Sequence, residues 1–395
     1  MTDTAPTVRA GRTARVHDVD ALRGFALLGI FAVNITFMAS AFPSNLINDP
    51  AYGSWLDEAA RFVVSVLFSM KFYLLFSFLF GYSFTLQMDA AQRAGAEFVP
   101  RMLRRILGLF LLGAGQIVLL YGGDVLTTYA VACLALLAMF RVRDRVALRV
   151  AGILYAVVLG LMILSVLMFD PTTLLPDHAE ALANSLAQNQ AMLGSFGDIV
   201  GQHLDGLSLL VLQALTMQGP TALAMFLLGM VAGRRQLLAN LTGAEPILRR
   251  LQVIGFPIGL LGAVTFALLG GDGNGTAALI SVATAPLLTA AYAATLLRAM
   301  HSTRFAWLRS ALAPAGRIAL TNYLLQALIG LVLFTSVGFS LAGKVSPPGL
   351  LVLTFVIFVG QLLASVWWTR THRYGPAEWA LRWLTNWERP RTSSR

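Results

Sequence analysis

Ionisable side chains inside long apolar runs are costly, which makes them the first place to look for chemistry. This chain has few of them. Lys71, one of two lysines with Lys344, falls midway along an apolar run. An ammonium at that depth needs a carboxylate or a bound anion beside it. No acid lies at matching depth on the same run, which leaves Asp124 or an anionic ligand to meet it. Asp20 and Arg23 stand at i and i+3, so on a helix they share a face and pair. That pair either closes a helix end or lines an entry for a ligand. Asn34 follows eleven residues after Arg23, about 16 Å deeper on a helix. It reads as a helix–helix hydrogen bonder or as a group near a reacting centre. Arg317 and Thr321 are spaced i, i+4, and so are Asn322 and Gln326, with Tyr323 between them. On one helix they form a polar stripe reaching about 14 Å inward at Gln326. With Asp20, Arg23 and Gln116 that stripe would line a cavity open to one face.

The elements that position these residues follow from composition. The chain has 395 residues, 57% of them hydrophobic and only 12% charged, against about 25% charged in soluble domains. Apolar runs of about 20 residues, the length that crosses a bilayer, lie near 20–40, 62–86, 103–121, 125–140, 146–169, 206–232, 251–270, 277–299, 317–341 and 349–369. Arginines fill alternate connections: Arg9, Arg12 and Arg15, then Arg101, Arg104 and Arg105, then Arg141, Arg143, Arg145 and Arg149. The tail continues this with Arg382, Arg389, Arg391 and Arg395, while the intervening loops carry Asp49, Asp57, Asp124, Asp170, Asp198 and Asp272. By the positive-inside rule, the fold class is all-α: a polytopic membrane protein of about ten transmembrane helices, with both termini cytoplasmic. Residues 1–18 read as a cytoplasmic tail, 19–372 as one transmembrane domain, and 373–395 as an interfacial helix and tail. In that last segment Trp379, Trp383 and Trp387 recur at i, i+4 and i+8, as in helices that lie on a membrane surface. A cleaved signal peptide is the rival reading of the N-terminus, through Ala39-Ser40-Ala41, but an ion pair opening the apolar run speaks against it.

The net charge of +10 is accounted for by topology, so no nucleic-acid partner is expected. His17, His178, His203, His301 and His372 all fall outside the span interiors, and no His/Cys/carboxylate grouping has metal-ligand spacing. Gly271-Asp272-Gly273-Asn274-Gly275 reads as a flexible turn rather than a nucleotide loop. The stretch from Asp177 to Leu193 reads as a surface or re-entrant helix.

Five separated stretches resemble the YeiB-like family of bacterial membrane proteins. They are Asp20-Ala21-Leu22-Arg23-Gly24 with Val33-Asn34; Lys71-Phe72 with Phe76 to Gly81; Gly123-Asp124-Val125-Leu126 with Tyr129; Gly316-Arg317 through Thr321-Asn322-Tyr323 with Gln326; and Gly375-Pro376-Ala377-Glu378-Trp379 with Arg382. The resemblance covers essentially the whole chain, with about 206–372 as the family's C-terminal half. The N-terminal half is similar to a wider superfamily of transmembrane acyltransferases, which includes the lysosomal heparan glucosaminide N-acetyltransferase.

That likeness implies an acyl group taken from cytoplasmic acyl-CoA, such as acetyl-CoA, and given to a hydroxyl or amine acceptor, a small molecule or glycan. It implies substrate contacts from Asp20, Arg23, Gln116, Arg317, Thr321, Asn322, Gln326, Glu378 and Arg382, with Asn34 near the reaction centre. The lysosomal enzyme carries its catalytic histidine in the outer loop after the matching asparagine, but Phe37 to Asn48 has none here. Where relatives carry a histidine in the third helix, this chain has Gln116. Lys71 and Asp124 are then the expected general bases, with no metal. A transporter of a small anionic solute is the rival expectation. The expected setting is the bacterial inner membrane, with lipids and a second copy of the chain as further partners.

Overall fold

The structure is a computed structural model that describes backbone at 5–168, 177–238 and 241–387, with side chains from His17 onward except at 241 and 242. The side chains of Arg9, Arg12 and Arg15, and all of Asp170, Pro171, Pro176, Arg389, Arg391 and Arg395, lie outside the described residues. The helices, in order, are α1 Ala5–Ala39, α2 Trp55–Leu67, α3 Lys71–Arg93, α4 Phe98–Leu119, α5 Leu126–Ala138 and α6 Asp144–Met168. Then come α7 His178–Met192, α8 Phe196–Asp205, α9 Leu207–Gln213, α10 Gly219–Arg234, α11 Leu241–Leu268 and α12 Gly275–Met300. The last four are α13 Trp307–Arg317, α14 Ala319–Phe334, α15 Pro347–Thr371 and α16 Pro376–Asn386. Among the described residues no strand forms, and the fold is all-α.

Eight helical stretches among the described residues are long and apolar enough to cross a membrane, and α13 with α14 makes a ninth if that bent pair is one span. The shorter apolar α5 occupies the remaining expected position. The protein is therefore a polytopic membrane protein. Three sequence expectations shift. The backbone of the 1–18 tail is already helical from Ala5. The 62–86 run is two helices, because the chain breaks at 68–70, where Met70 takes φ 66°. The 317–341 run is not one straight span, because α13 and α14 meet at 76°.

α1 runs through the centre, packed against α3, α13, α14 and α15. It comes closest to α13, where a Cβ on Gly24 would strike the Leu312 carbonyl and one on Gly316 would strike the Asp20 carbonyl. Small residues at such crossings let helix backbones touch, which is how apolar helices associate when water supplies no driving force between them. A second centre is Tyr129 on α5, whose ring lies 5.1 Å from Phe226, 5.5 Å from Phe80 and 6.0 Å from Tyr73. Its hydroxyl lies 2.6 Å from Ser77 Oγ, and the Tyr73 hydroxyl donates to the Gln218 carbonyl, so both polar tips in this aromatic cluster are satisfied. On the arginine-rich face Asp144 bonds Arg235 at 3.0 Å and Arg234 at 3.2 Å, tying α6 to the end of α10. On the opposite face α7, which falls where a surface or re-entrant helix was expected, covers the end of α1: Asn189 Oδ1 accepts the Ala41 N–H at 2.8 Å.

Gly316→Ala should cost about 1–3 kcal/mol by overpacking and lower the thermal midpoint of the detergent-solubilised protein. Gly360→Ala, where a Cβ meets open space, should leave the midpoint unchanged. Equal midpoints for the two variants would refute the close α1–α13 crossing.

Candidate functional site

A concavity opens at the arginine-rich end of α1. A cavity of about 380 Å³ lies between α1, α13 and α15, lined by His17, Asp20, Arg309, Ser310, Arg317 and Thr369 among others. Arg23 Nη1 donates to Asp20 at 2.7 Å, as the i, i+3 spacing predicts, and Arg23 Nη2 donates to Ser83 on α3. Arg317 spends one nitrogen on the Arg373 carbonyl at 2.7 Å. Arg309 stands 3.7 Å from Asp18, whose other oxygen meets His301 at 3.0 Å. This cavity joins Asp20 to Arg317, but Arg23, Gln116, Thr321, Asn322 and Gln326, expected in its wall, do not line it. Arg317 ends α13, so the bend separates it from Thr321.

The residues of the stripe instead repair that bend. α14 starts without a local cap, and Glu378 reaches in from α16: Oε1 accepts the N–H of Leu320 at 2.7 Å and of Thr321 at 3.1 Å, while Oε2 accepts the Thr321 hydroxyl at 2.5 Å. The carboxylate serves as an N-cap supplied from a distant helix. Burial pushes the Glu378 carboxyl up, and the hydroxyl and amide donors oppose it. On the other side of the break Asn322 Nδ2 donates to the Ala315 carbonyl at 3.1 Å and to Ser365 Oγ at 3.0 Å. Gln326 Nε2 donates to Gln361 Oε1 at 2.9 Å, and Gln361 donates to the Asn322 carbonyl at 3.1 Å. Expected as ligand contacts, Thr321, Asn322, Gln326 and Glu378 are occupied in holding α13, α14, α15 and α16 together.

Lys71 is 2% exposed, and it too sits at a break. Ser69 N–H reaches back to Val64 rather than Ser65, and Lys71 Nζ takes the orphaned Ser65 carbonyl at 2.8 Å. A cation at a helix C-terminus is favourably placed against the helix dipole. The expectation was Asp124 or an anionic ligand; of the described acids, the one whose charge acts on Lys71 is Asp272. Burial pushes the Asp272 carboxyl up, and Lys71 opposes it. The supposedly flexible glycine turn is a 3₁₀ turn, Gly271–Gly273, carrying that acid.

Asp124 is 1% exposed and Gln116 2%. Asp124 accepts the N–H of Leu126 at 2.9 Å and of Thr127 at 2.8 Å, starting α5, and faces the Tyr323 hydroxyl at 3.4 Å. Desolvation raises the Asp124 carboxyl, with the amide donors opposing. Gln116 Nε2 donates to Tyr323 Oη at 3.1 Å, while Gln116 Oε1 is buried without a partner among the described residues. Asn34 is half-buried on α1 with no hydrogen bond among the described residues. Sequence spacing brought Gln116 and Asp124 forward separately; the Tyr323 hydroxyl joins them.

A histidine does approach this cluster. His203, on α8, packs its ring on Gly122, where an added Cβ would lie 3.5 Å from Cδ2. Its Nδ1 faces the Val118 carbonyl at 3.3 Å; a carbonyl requires an N–H there, so the tautomer leaves the Nε2 lone pair free. No spacing in the sequence signals this approach, because α4 and α8 are far apart along the chain.

The site is thus a cationic cavity at one face of a helical membrane bundle and a buried polar cluster towards the other, and the chain that carries it has recognisable relatives. The model for "Protein of unknown function (DUF418)" matches residues 232–388. The chain is 30% identical over 373 residues, covering 94% of each chain, to an uncharacterized 39.9 kDa protein encoded beside an amylase gene of Bacillus acidopullulyticus. It is 28% identical to the uncharacterized protein YxaH of Bacillus subtilis, with 94% of each covered. The uncharacterized protein YeiB of Escherichia coli is 28% identical, with 93% of this chain and 95% of YeiB covered. The chain belongs to the YeiB-like family.

Glu378→Ala should cost about 0.5–2 kcal/mol through the lost cap, measured as earlier thermal unfolding, with Glu378→Gln milder because one oxygen can still accept. If Glu378→Ala unfolds like the wild type, the cap is not what holds α14.

Proposed function

We propose that this protein is an acyltransferase of the bacterial inner membrane, its arginine-rich face in the cytoplasm, which takes an acyl group from acyl-CoA. The observation that supports this best is the cavity at the mouth of α1, where His17, Arg309 and Arg317 face a space of about 380 Å³. Guanidinium groups are suited to the phosphates of a CoA thioester. From Asp20 to Asn34 on α1 is about 21 Å, so one helix connects the donor mouth with the region of Gln116, Tyr323 and Asp124.

In this reading a hydroxyl or amine of the acceptor attacks the thioester carbonyl. The new bond is O–C or N–C, the C–S bond breaks, and CoA leaves as the thiol. His203 Nε2 takes the acceptor's proton, which supplies the base missing from the loop after Asn34. Asp124, buried and bonded to α5, orients Tyr323 rather than taking the proton, and Lys71 holds the α2–α3 break.

A second reading, transport of an anionic solute, has its own support in the break at 68–70, which lies midway along an apolar run. Half-helix ends near the bilayer midplane are a recurring device of secondary transporters. Calorimetry with acetyl-CoA separates the two readings. Micromolar binding to the wild type, lost in Arg317→Ala with the fold intact, is the expected result. No binding of acetyl-CoA or longer acyl-CoAs would sink the acyltransferase, and uptake of an unmodified solute by proteoliposomes would then carry the second reading.

Once an acceptor is in hand, His203→Gln should lower the transfer rate about 10²–10⁴-fold without weakening acetyl-CoA binding. Transfer at the wild-type rate would remove His203 from the mechanism.

A further inference from the structure

Outside that cavity, on the same face, α16 lies along α4. A Cβ on Gly108 would run into Leu381 and Leu384. Arg101 donates to Asn386 Oδ1 at 2.6 Å and 3.2 Å, and Arg104 stacks over the Trp387 ring at 5.7 Å. Both outer arginines of α4 therefore have partners. Arg105, the next residue, has none among the described residues: its Nε is sealed from solvent and makes no hydrogen bond.

The charged groups that act on Arg105 include Arg382 of α16, Arg23 of α1 and Glu378. The acids present are already committed. Asp20 is bonded to Arg23 at 2.7 Å. Glu378 caps α14, and its burial favours the neutral form. Among the described residues Arg382 makes no ion pair and lies over the face of Tyr374, 4.2 Å from its guanidinium carbon. Arg23 has Asp20, so Arg105 and Arg382 are left to share Glu378, which is itself tied to α14. Unpaired charge away from water costs several kcal/mol, and among the described residues Arg105 has no hydrogen-bonded acid to offset it.

We propose that the seam between α4 and α16 is a phosphate-binding site in which Arg105 and Arg382 clamp the anion and Arg23 stands behind. Arginine forks suit a phosphate bidentately. The phosphate belongs to a lipid headgroup or to a soluble phosphate ester. Trp383 and Trp387, 49% and 70% exposed beside the seam, put it at headgroup level, where such aromatic side chains settle. The site does not rest on acyl transfer, since neither Arg105 nor Arg382 lines the cavity at α1.

Two probes distinguish the sources: adenosine 3′,5′-bisphosphate added to the detergent-solubilised protein, and nanodiscs of phosphatidylglycerol compared with phosphatidylcholine. At least one phosphate probe should raise the wild-type thermal midpoint by about 2–4 °C. For phosphatidylglycerol that rise is measured relative to phosphatidylcholine. Arg105→Gln and Arg382→Gln should each abolish it. Arg105→Lys, which keeps the charge but loses the fork, should retain part of it, and serves if the glutamine variant does not fold. Arg149→Gln, an exposed arginine elsewhere in the chain, should leave the shift intact. The site is refuted if neither probe shifts the wild type, if Arg105→Gln keeps the full shift, or if Arg149→Gln removes it equally.

Discussion

A polypeptide inside hydrocarbon must satisfy every backbone N–H and C=O from within the protein, since no water is there to take them. An unbroken helix meets that demand by itself, and an interrupted one does not. This chain interrupts helices at 68–70, in a π segment at Ala214–Gln218 and at Ile318. At each place side chains restore the balance. Lys71 takes the Ser65 carbonyl, Thr221 takes Met217 and Gln218, and Asn322 takes Ala315. Glu378 accepts two amides of α14, and Asp124 accepts two at the start of α5. Most of the polar residues at depth answer to the backbone before they answer to a substrate.

That accounting isolates what is left. Among the described residues, groups not used for capping include the cationic lining of the cavity at α1, Asn34, the free acceptor of Gln116, and Arg105 with Arg382. The amide oxygens of Gln202 and Gln218 and the Ser281 hydroxyl are also buried without a partner among those residues. Several of them gather at the arginine-rich face and several towards the other end of α1. A protein of merely structural purpose has no reason to keep a buried, unsatisfied amide oxygen, since such groups cost about 1–3 kcal/mol each.

The spans were legible in the sequence because apolar length and arginine placement are local signals. The breaks were not. Nothing near Ile318 marks a 76° bend strongly enough, because the bend is held by Glu378, some sixty residues on. Lys71 was legible as an anomaly, yet its acid was not, since Asp272 sits in a turn whose glycines read as slack. Asp20 and Arg23 paired as their spacing predicts. Arg317 and Thr321 did not line up, because a helical period carries information only as far as the helix does. His203 was invisible for a related reason: its approach to Gly122 is set by how α8 packs on α4.

α16 gathers these threads. It contributes Glu378 to the start of α14, Arg382 to the arginine seam and Leu381 to the face of α4. Glu378 and Arg382 are one helical turn apart, so α16 cannot shift at the seam without shifting the cap on α14. α14 in turn carries Tyr323, which bonds Gln116 and faces Asp124. An anion that draws α16 against α4 would thereby bear on the buried polar cluster through a chain of hydrogen bonds and one rigid helix. Coupling of this kind needs a helix with two competent positions, and the bent junction at Ile318, capped by a side chain rather than closed by its own backbone, is the place in this fold where one can exist.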